Sequence, residues 1–437
     1  MRNELLALCG VLTWIASGTL ALAQDKPTGA PPSGTEVVQT VMGHNDPAVD
    51  VAAVQKAVDQ GGTVLLKGEF DFGDKGSVTI ARDVRVIGEV DDRGGPRTTI
   101  KGGQATLRSV RPEAPAALGP KITIQHIHFD GASLTPIQVA YASGATITGN
   151  LITRVRPVAF PPDAFSGGKP YNMQHGIVLM SGKSAAYQPD AVTGMLTITD
   201  NEIDLANDAP TTTLGMAIWL AHTTGVNANI ARNTVRNASR NGIEELDNFR
   251  GSDGKGQIAI QDNNVETPAE GVPIPSPNAP NGILIGYFRD KTAALDAKRA
   301  IPHVVIHNTV RARGQTSGSF GIAVLMDGAL VRDNHVTIEG QGARAISVGG
   351  SHNYIGQNLI DGAGVAGVVL APYPPMAASD NELVRNEVGQ LKSTRADVVL
   401  MNGANNNIIT GSNGTVSDLG SGNVTQGLKP VAAGSAK

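Results

Sequence analysis

Two short apolar segments alternate along most of this chain. In the first, aliphatic residues flank an asparagine: ITGNLI at Asn150, ITDNEI at Asn201, IARNTV at Asn233 and IQDNNV at Asn263. The pattern continues as VIHNTV at Asn308, VRDNHV at Asn334, IGQNLI at Asn358, LVRNEV at Asn386 and ITGSNGTV at Asn413. The second segment reads HGIVLM, MAIWLA, NGIEEL, NGILIG, FGIAVL, RAISVG, AGVVLA and ADVVLM. Short apolar runs with period-two alternation predict strands. Their interleaved return every few tens of residues predicts a solenoid of stacked coils.

The asparagines have a structural reading. Asn tolerates the left-handed backbone that a tight turn requires. Coils stack about 4.8 Å apart, so Asn side chains in register can hydrogen-bond up the stack as a ladder. A direct catalytic role for them is not expected.

The N-terminal stretch differs. MRNELLALCGVLTWIASGTLALAQ has Arg2, an apolar run and the small-x-small site Ala21-Leu22-Ala23, which predicts a secretory signal peptide over residues 1–23. Residues 24–44 read as a flexible leader, 45–425 as one solenoid domain and 426–437 as a flexible tail. DPAVDVAAVQKAVDQGG predicts a short helix capped by Asp50, with Val51, Val54, Ala57 and Val58 on one face and Gly61 and Gly62 ending it. A short helix, a Gly pair and then strands resembles the N-terminal cap of pectate-lyase-like proteins. Cap and repeats together resemble that right-handed parallel β-helix superfamily over residues 45–425. The resemblance implies an all-β solenoid whose core is plugged by the helix.

Composition agrees. Of 437 residues, 53 are Gly and 4% are aromatic, which suits many tight turns around a Val, Ile, Leu and Ala core. The net charge of −4 gives no footing for nucleic acid. Cys9 is the only cysteine, so the processed chain is expected to hold no disulfide and no thiolate site. No later apolar stretch is long enough to span a membrane. The expectation is a secreted or periplasmic monomer, with no stable membrane insertion after signal cleavage.

Register selects the candidate site. Aligning the second segments on Ile177, Ile218, Ile243, Ile283, Ile322, Ile346, Val368 and Val398 stacks their neighbours in columns. The position after each anchor should face outward. It places Glu244 over Trp219, the one tryptophan outside the signal segment. An outward indole suits the C–H face of a sugar. Four past the anchor, His222, Asp247 and Tyr287 fall on consecutive coils, a set that could move protons. Glu245 should point inward. Either a bulge shifts the register there, or it is a buried carboxyl with a raised pKa. Long insertions cluster before residue 303 and should rim this face, with His175, Lys169, Tyr171, Arg250, Arg289 and Asp290 as candidate lining.

The superfamily resemblance implies an extracellular, acidic polysaccharide as the partner. Lyase chemistry would use His222 or Tyr287 as acid/base, an Arg or Lys on the sugar carboxylate, and Ca2+ in some members. Glycoside hydrolysis through Glu244 and Asp247 is the next reading. A non-enzymatic binding scaffold or periplasmic accessory protein is the rival class. No specific enzyme motif is present: the polygalacturonase set is missing, Gln174-His175-Gly176 is not GHG, and DPHD is absent. The metal and the exact sugar are left unassigned.

Overall fold

A computed structural model describes residues 38–111, 118–161, 170–180, 191–206, 213–268, 280–287, 300–314, 319–388 and 391–431. A full coil contributes one strand to each of three sheets, here named A, B and C in chain order. In one coil these are Asn227–Ala231, Thr234–Arg236 and Asn241–Leu246. The described strands build sheets of 14, 11 and 14 strands, in which coil follows coil. Pairing is parallel and in register apart from a shift between Ala142 and Gly144; Val158–Phe160 differs, lying antiparallel to Tyr171–Met173. The fold is a right-handed parallel β-helix, as the repeats predict. Its side chains fill one continuous core from Val54 to Leu428. No helix among the described residues is long and apolar enough to cross a membrane.

The ladder forms at the corner between sheets A and B. Asn201 donates from both its backbone N (3.1 Å) and its Nδ2 (2.9 Å) to Asn233 Oδ1. The same double bond repeats through Asn150, Asn201, Asn233, Asn263, Asn308, Asn334, Asn358 and Asn386. Two expectations need correcting. The left-handed residue is the one before the ladder Asn: Asp200 (φ 58°), Arg232 (55°), Asp262 (56°), His307 (56°). It reverses the chain, and the Asn that follows is delivered into the corner. The last rung is also not Asn413. Ser412 Oγ accepts from Asn386 N at 3.2 Å, while Asn413 caps Val388 N. A second ladder, which the repeat pattern did not reveal, joins Asn353, Asn381, Asn407 and Asn423.

Sheet C has a small-residue column facing inward, just before seven of the eight anchors: Gly176, Ala217, Gly242, Gly282, Gly321, Ala345 and Gly367. A Cβ on Gly242 would sit 2.3 Å from Val265 Cγ1, and one on Gly282 2.3 Å from Val310 Cγ1. Here the sheet presses on the valines of sheet B. The small residue and the anchor both face the core, so the residue before them and the one after them both face outward.

Helix α1 (Pro47–Gln60) buries Asp50, Val54, Ala57 and Val58. Its N-cap is Asp46, which accepts from Ala48 N at 2.9 Å. Asp50 is instead fully buried and accepts from His44 N, Asp46 N and Asp71 N, fastening the helix to the first coil. Sheet pairing begins at Val38–Met42 on Thr63–Lys67, inside the stretch expected as leader. It ends at Lys429–Pro430 on Thr415–Val416, past residue 425. Free strand edges pair where they can, and both short segments add a rung to an open edge.

Candidate functional site

The register around Glu244 is unbroken. Trp219, Glu244 and Leu284 pair as one column, and Glu245 pairs with Leu220 and Ile285 beside it. No bulge intervenes. Glu244 therefore faces outward and Glu245 faces the core. Outward-facing Glu244 is nonetheless only 3% exposed. Trp219, one coil before it, is half-buried and is the member of this column nearest to solvent.

A chain of amides orients Glu244. Phe320 N donates to Asn281 Oδ1 (3.0 Å), and Asn281 Nδ2 donates to Asn241 Oδ1 (2.8 Å). Asn241 Nδ2 then donates to Glu244 Oε2. Each amide has its direction fixed by the one before it. Arg240 Nε lies 3.7 Å from the same oxygen. Burial still raises the Glu244 carboxyl above its ordinary range; Arg240 and Asn241 oppose this, and Asp247 and Glu245 reinforce it. A carboxyl whose pKa is raised by burial is suited to general-acid chemistry.

His175 and Trp219 form the neighbouring part. Their ring centroids are 5.3 Å apart, tilted by 55°. His175 is 3% exposed, and its Nδ1 accepts from Met216 N at 3.3 Å. Burial first, and the Arg240 charge second, push its pKa down to about 3. It is a neutral imidazole with its proton on Nε2. His175 Nε2 and Trp219 Nε1 are buried and have no hydrogen-bond partner.

The column His222, Asp247, Tyr287 exists in the backbone and divides in its side chains. His222 N donates to Leu246 O, Asp247 N to Gly286 O and Tyr287 N to Leu325 O. His222 and Asp247 take left-handed corner conformations (φ 56° each), and His222 Nδ1 lies 4.0 Å from Asp247 Oδ2. Tyr287 is a core residue. Gly286 (φ 135°) turns the chain just before it, and the ring packs on Phe249 at 5.8 Å. Its hydroxyl donates to Asn248 O (2.8 Å) and accepts from Ile301 N (3.0 Å). Burial raises its pKa further. A phenol so engaged inside the solenoid is withdrawn from the outer face.

Other candidates separate similarly. Tyr171 is buried and stacks on Phe160, with centroids 5.7 Å apart. Arg250 donates to Ala300 O and Gly254 O, both at 3.1 Å, and so braces a backbone turn. Lys169, Arg289 and Asp290 lie outside the described residues. Sequence reasoning missed Arg240, Asn241, Asn281 and His303. The repeated NGI of NGIEEL and NGILIG was a usable signal, since it stacks two amides beside Glu244. His303 carried none. Among the described residues, no group of three or more His, Cys, Asp or Glu is placed to hold a metal ion.

No family model matches the chain. No curated protein matches it. Among solved structures, DFA-IIIase from Arthrobacter chlorophenolicus A6 is 12% identical over 86% of this chain and 94% of that one, with a TM-score of 0.45. The A-module of the Azotobacter vinelandii mannuronan C-5 epimerase AlgE4 is 13% identical over 88% and 98%, at 0.41. An alginate lyase from Paenibacillus sp. str. FPU-7 is 13% identical over 90% and 97%, at 0.30. Likenesses this distant bear on neither substrate nor mechanism.

Proposed function

We propose that the protein is exported and acts on a polysaccharide at the outer face of sheet C, with Glu244 as the proton donor in glycosidic cleavage. One observation carries the reading: an outward carboxyl, its pKa raised by burial, stands directly over a half-buried indole. The indole offers a sugar its apolar face. The carboxyl would protonate the leaving oxygen, and Asp247, one corner further on, supplies the second carboxylate that hydrolysis needs.

A lyase is the second reading, and the His222–Asp247 contact at 4.0 Å favours it. An imidazole steadied by a carboxylate can abstract a proton next to a sugar carboxylate. Incubation with a panel of neutral and uronic-acid polysaccharides tests both. New reducing ends without ultraviolet-absorbing products support hydrolysis. Unsaturated products support the lyase. Binding without cleavage reduces the protein to a scaffold, and neither binding nor cleavage across the panel rejects the polysaccharide reading.

A further inference from the structure

Two buried N–H groups, His175 Nε2 and Trp219 Nε1, have no acceptor among the described residues. Both can only donate, since Met216 N occupies His175 Nδ1 at 3.3 Å, so neither ring satisfies the other. Buried donors are nearly always paired, and two on rings 5.3 Å apart point to an acceptor from outside the chain.

Their surroundings select its chemistry. Across two coils His175 pairs with Met216 and Val178 with Trp219, all on the outer face of sheet C. The donors thus occupy one diagonal of a square, and two buried apolar side chains, Val178 and Met216, occupy the other. The cation that acts on His175 is Arg240, whose Nε already lies 3.7 Å from Glu244 Oε2, so its charge gives no reason to seek an anion. A carboxylate here would be a charge buried among apolar groups. A hydroxyl would bring one more donor to a place that has two. A carbonyl oxygen accepts twice and donates nothing, and a methyl group beside it suits Val178 and Met216.

We infer that His175, Trp219, Val178 and Met216 form a subsite for an acetyl group carried by a sugar, with the two N–H groups on its carbonyl oxygen and the two apolar side chains on its methyl. This rests on the polysaccharide reading and narrows it to acetylated substrates. The next coil places Asn241 and Glu244 in the same two columns, so an acetyl group seated here fixes which sugar unit lies beside that carboxyl. An unacetylated unit leaves both donors unmet, and discrimination follows from that.

Calorimetry on the full chain with two matched pairs tests the inference. Chitotetraose beside cellotetraose compares an N-acetyl group with a hydroxyl, and O-acetylated xylotetraose beside its deacetylated form does the same for an ester. In at least one pair the acetylated member should bind about tenfold more tightly; which pair shows it identifies the amide or the ester as the source. Trp219→Phe keeps an aromatic ring and removes one N–H, and Val178→Leu fills the space for the methyl. Each should bring the ratio within that pair close to one. Equal binding within both pairs overturns the acetyl subsite and leaves the polysaccharide reading standing. A preference that survives both substitutions places the acetyl group elsewhere and overturns it as well. No binding of any of the four also overturns it, while the wider polysaccharide panel judges the parent reading separately.

Discussion

Glu245 and His303 meet inside the solenoid, joining sheet C to sheet A across 58 residues of sequence. His303 Nδ1 contacts Ile301 O at 2.7 Å, and a carbonyl only accepts, so the Nδ1 proton is fixed. Nε2 and a carboxyl oxygen of Glu245 then form a hydrogen bond. Asn248 Nδ2 donates to the other carboxyl oxygen and, at 3.0 Å, to Leu220 O. Its own Oδ1 accepts from Thr223 N and Oγ1. The network is closed and lies directly beneath the corner that carries Asp247.

Breaking one partner of such a pair costs more than removing both. His303→Leu alone should destabilise the protein by about 3–5 kcal/mol, because it strands the carboxyl. Glu245→Leu combined with His303→Leu should recover most of that loss. Denaturant midpoints for the two variants decide it. A double variant no better than the single one would show that the pair contributes more than its own satisfaction.

The ladder makes a similar prediction with position as the variable. Asn263 accepts two bonds from Asn233 and donates to Ile230 O and Asn308 Oδ1, all at 2.9 Å. Asn263→Ala leaves donors and an acceptor buried, and should cost about 3 kcal/mol or more. Asn423 ends the second ladder near the surface, and Asn423→Ala should cost less than half as much. Equal losses at both sites would mean that solvent does not relieve the terminal rung.

The contrast shows which parts of this molecule the sequence exposes. Ladder, columns and inward anchors are legible because a coil repeats one set of backbone constraints, and each repetition tests the register again. Glu244 over Trp219 was legible for that reason. Tyr287 was not, because Gly286 (φ 135°) turns the chain ahead of it, whereas His222 and Asp247 take the left-handed turn themselves. His303 was not, because its partner lies across the core rather than in its own column. Periodicity reports contacts along the stack and is silent on contacts through it.

Two buried groups give opposite pH dependences. His175 titrates at about 3 in the fold against an ordinary 6.5. Between those values the unfolded chain binds more protons, so stability falls as pH drops from about 6.5 towards 3. Glu244 is raised above its ordinary 4.5, so the fold holds the extra proton, and stability falls as pH rises from about 4.5 through the raised range. Each slope is at most about 1.4 kcal/mol per pH unit. In melting curves recorded against pH, His175→Phe should flatten the acid limb and Glu244→Gln the limb above about 4.5. Wild-type and variant curves of the same shape would exclude these titrations.

The amide chain makes the sharpest claim about chemistry. Gln at 244 keeps the shape and removes the transferable proton, so Glu244→Gln should lower kcat by about 10²–10⁴-fold with KM little changed. Asn281 never touches a substrate on this reading, yet it sets the direction of Asn241, whose Nδ2 holds Glu244. Asn281→Ala frees Asn241 to rotate, loosening the carboxyl and weakening a bond to its ionised form. The Glu244 limb of the pH–rate profile should then move upward. Asn281→Gln, a longer amide, should restore only part of the original profile. If Asn281→Ala lowers stability and leaves the profile in place, the amides serve the sheet alone and Glu244 is oriented by Arg240, which Arg240→Lys would then reveal as a shift of the same limb.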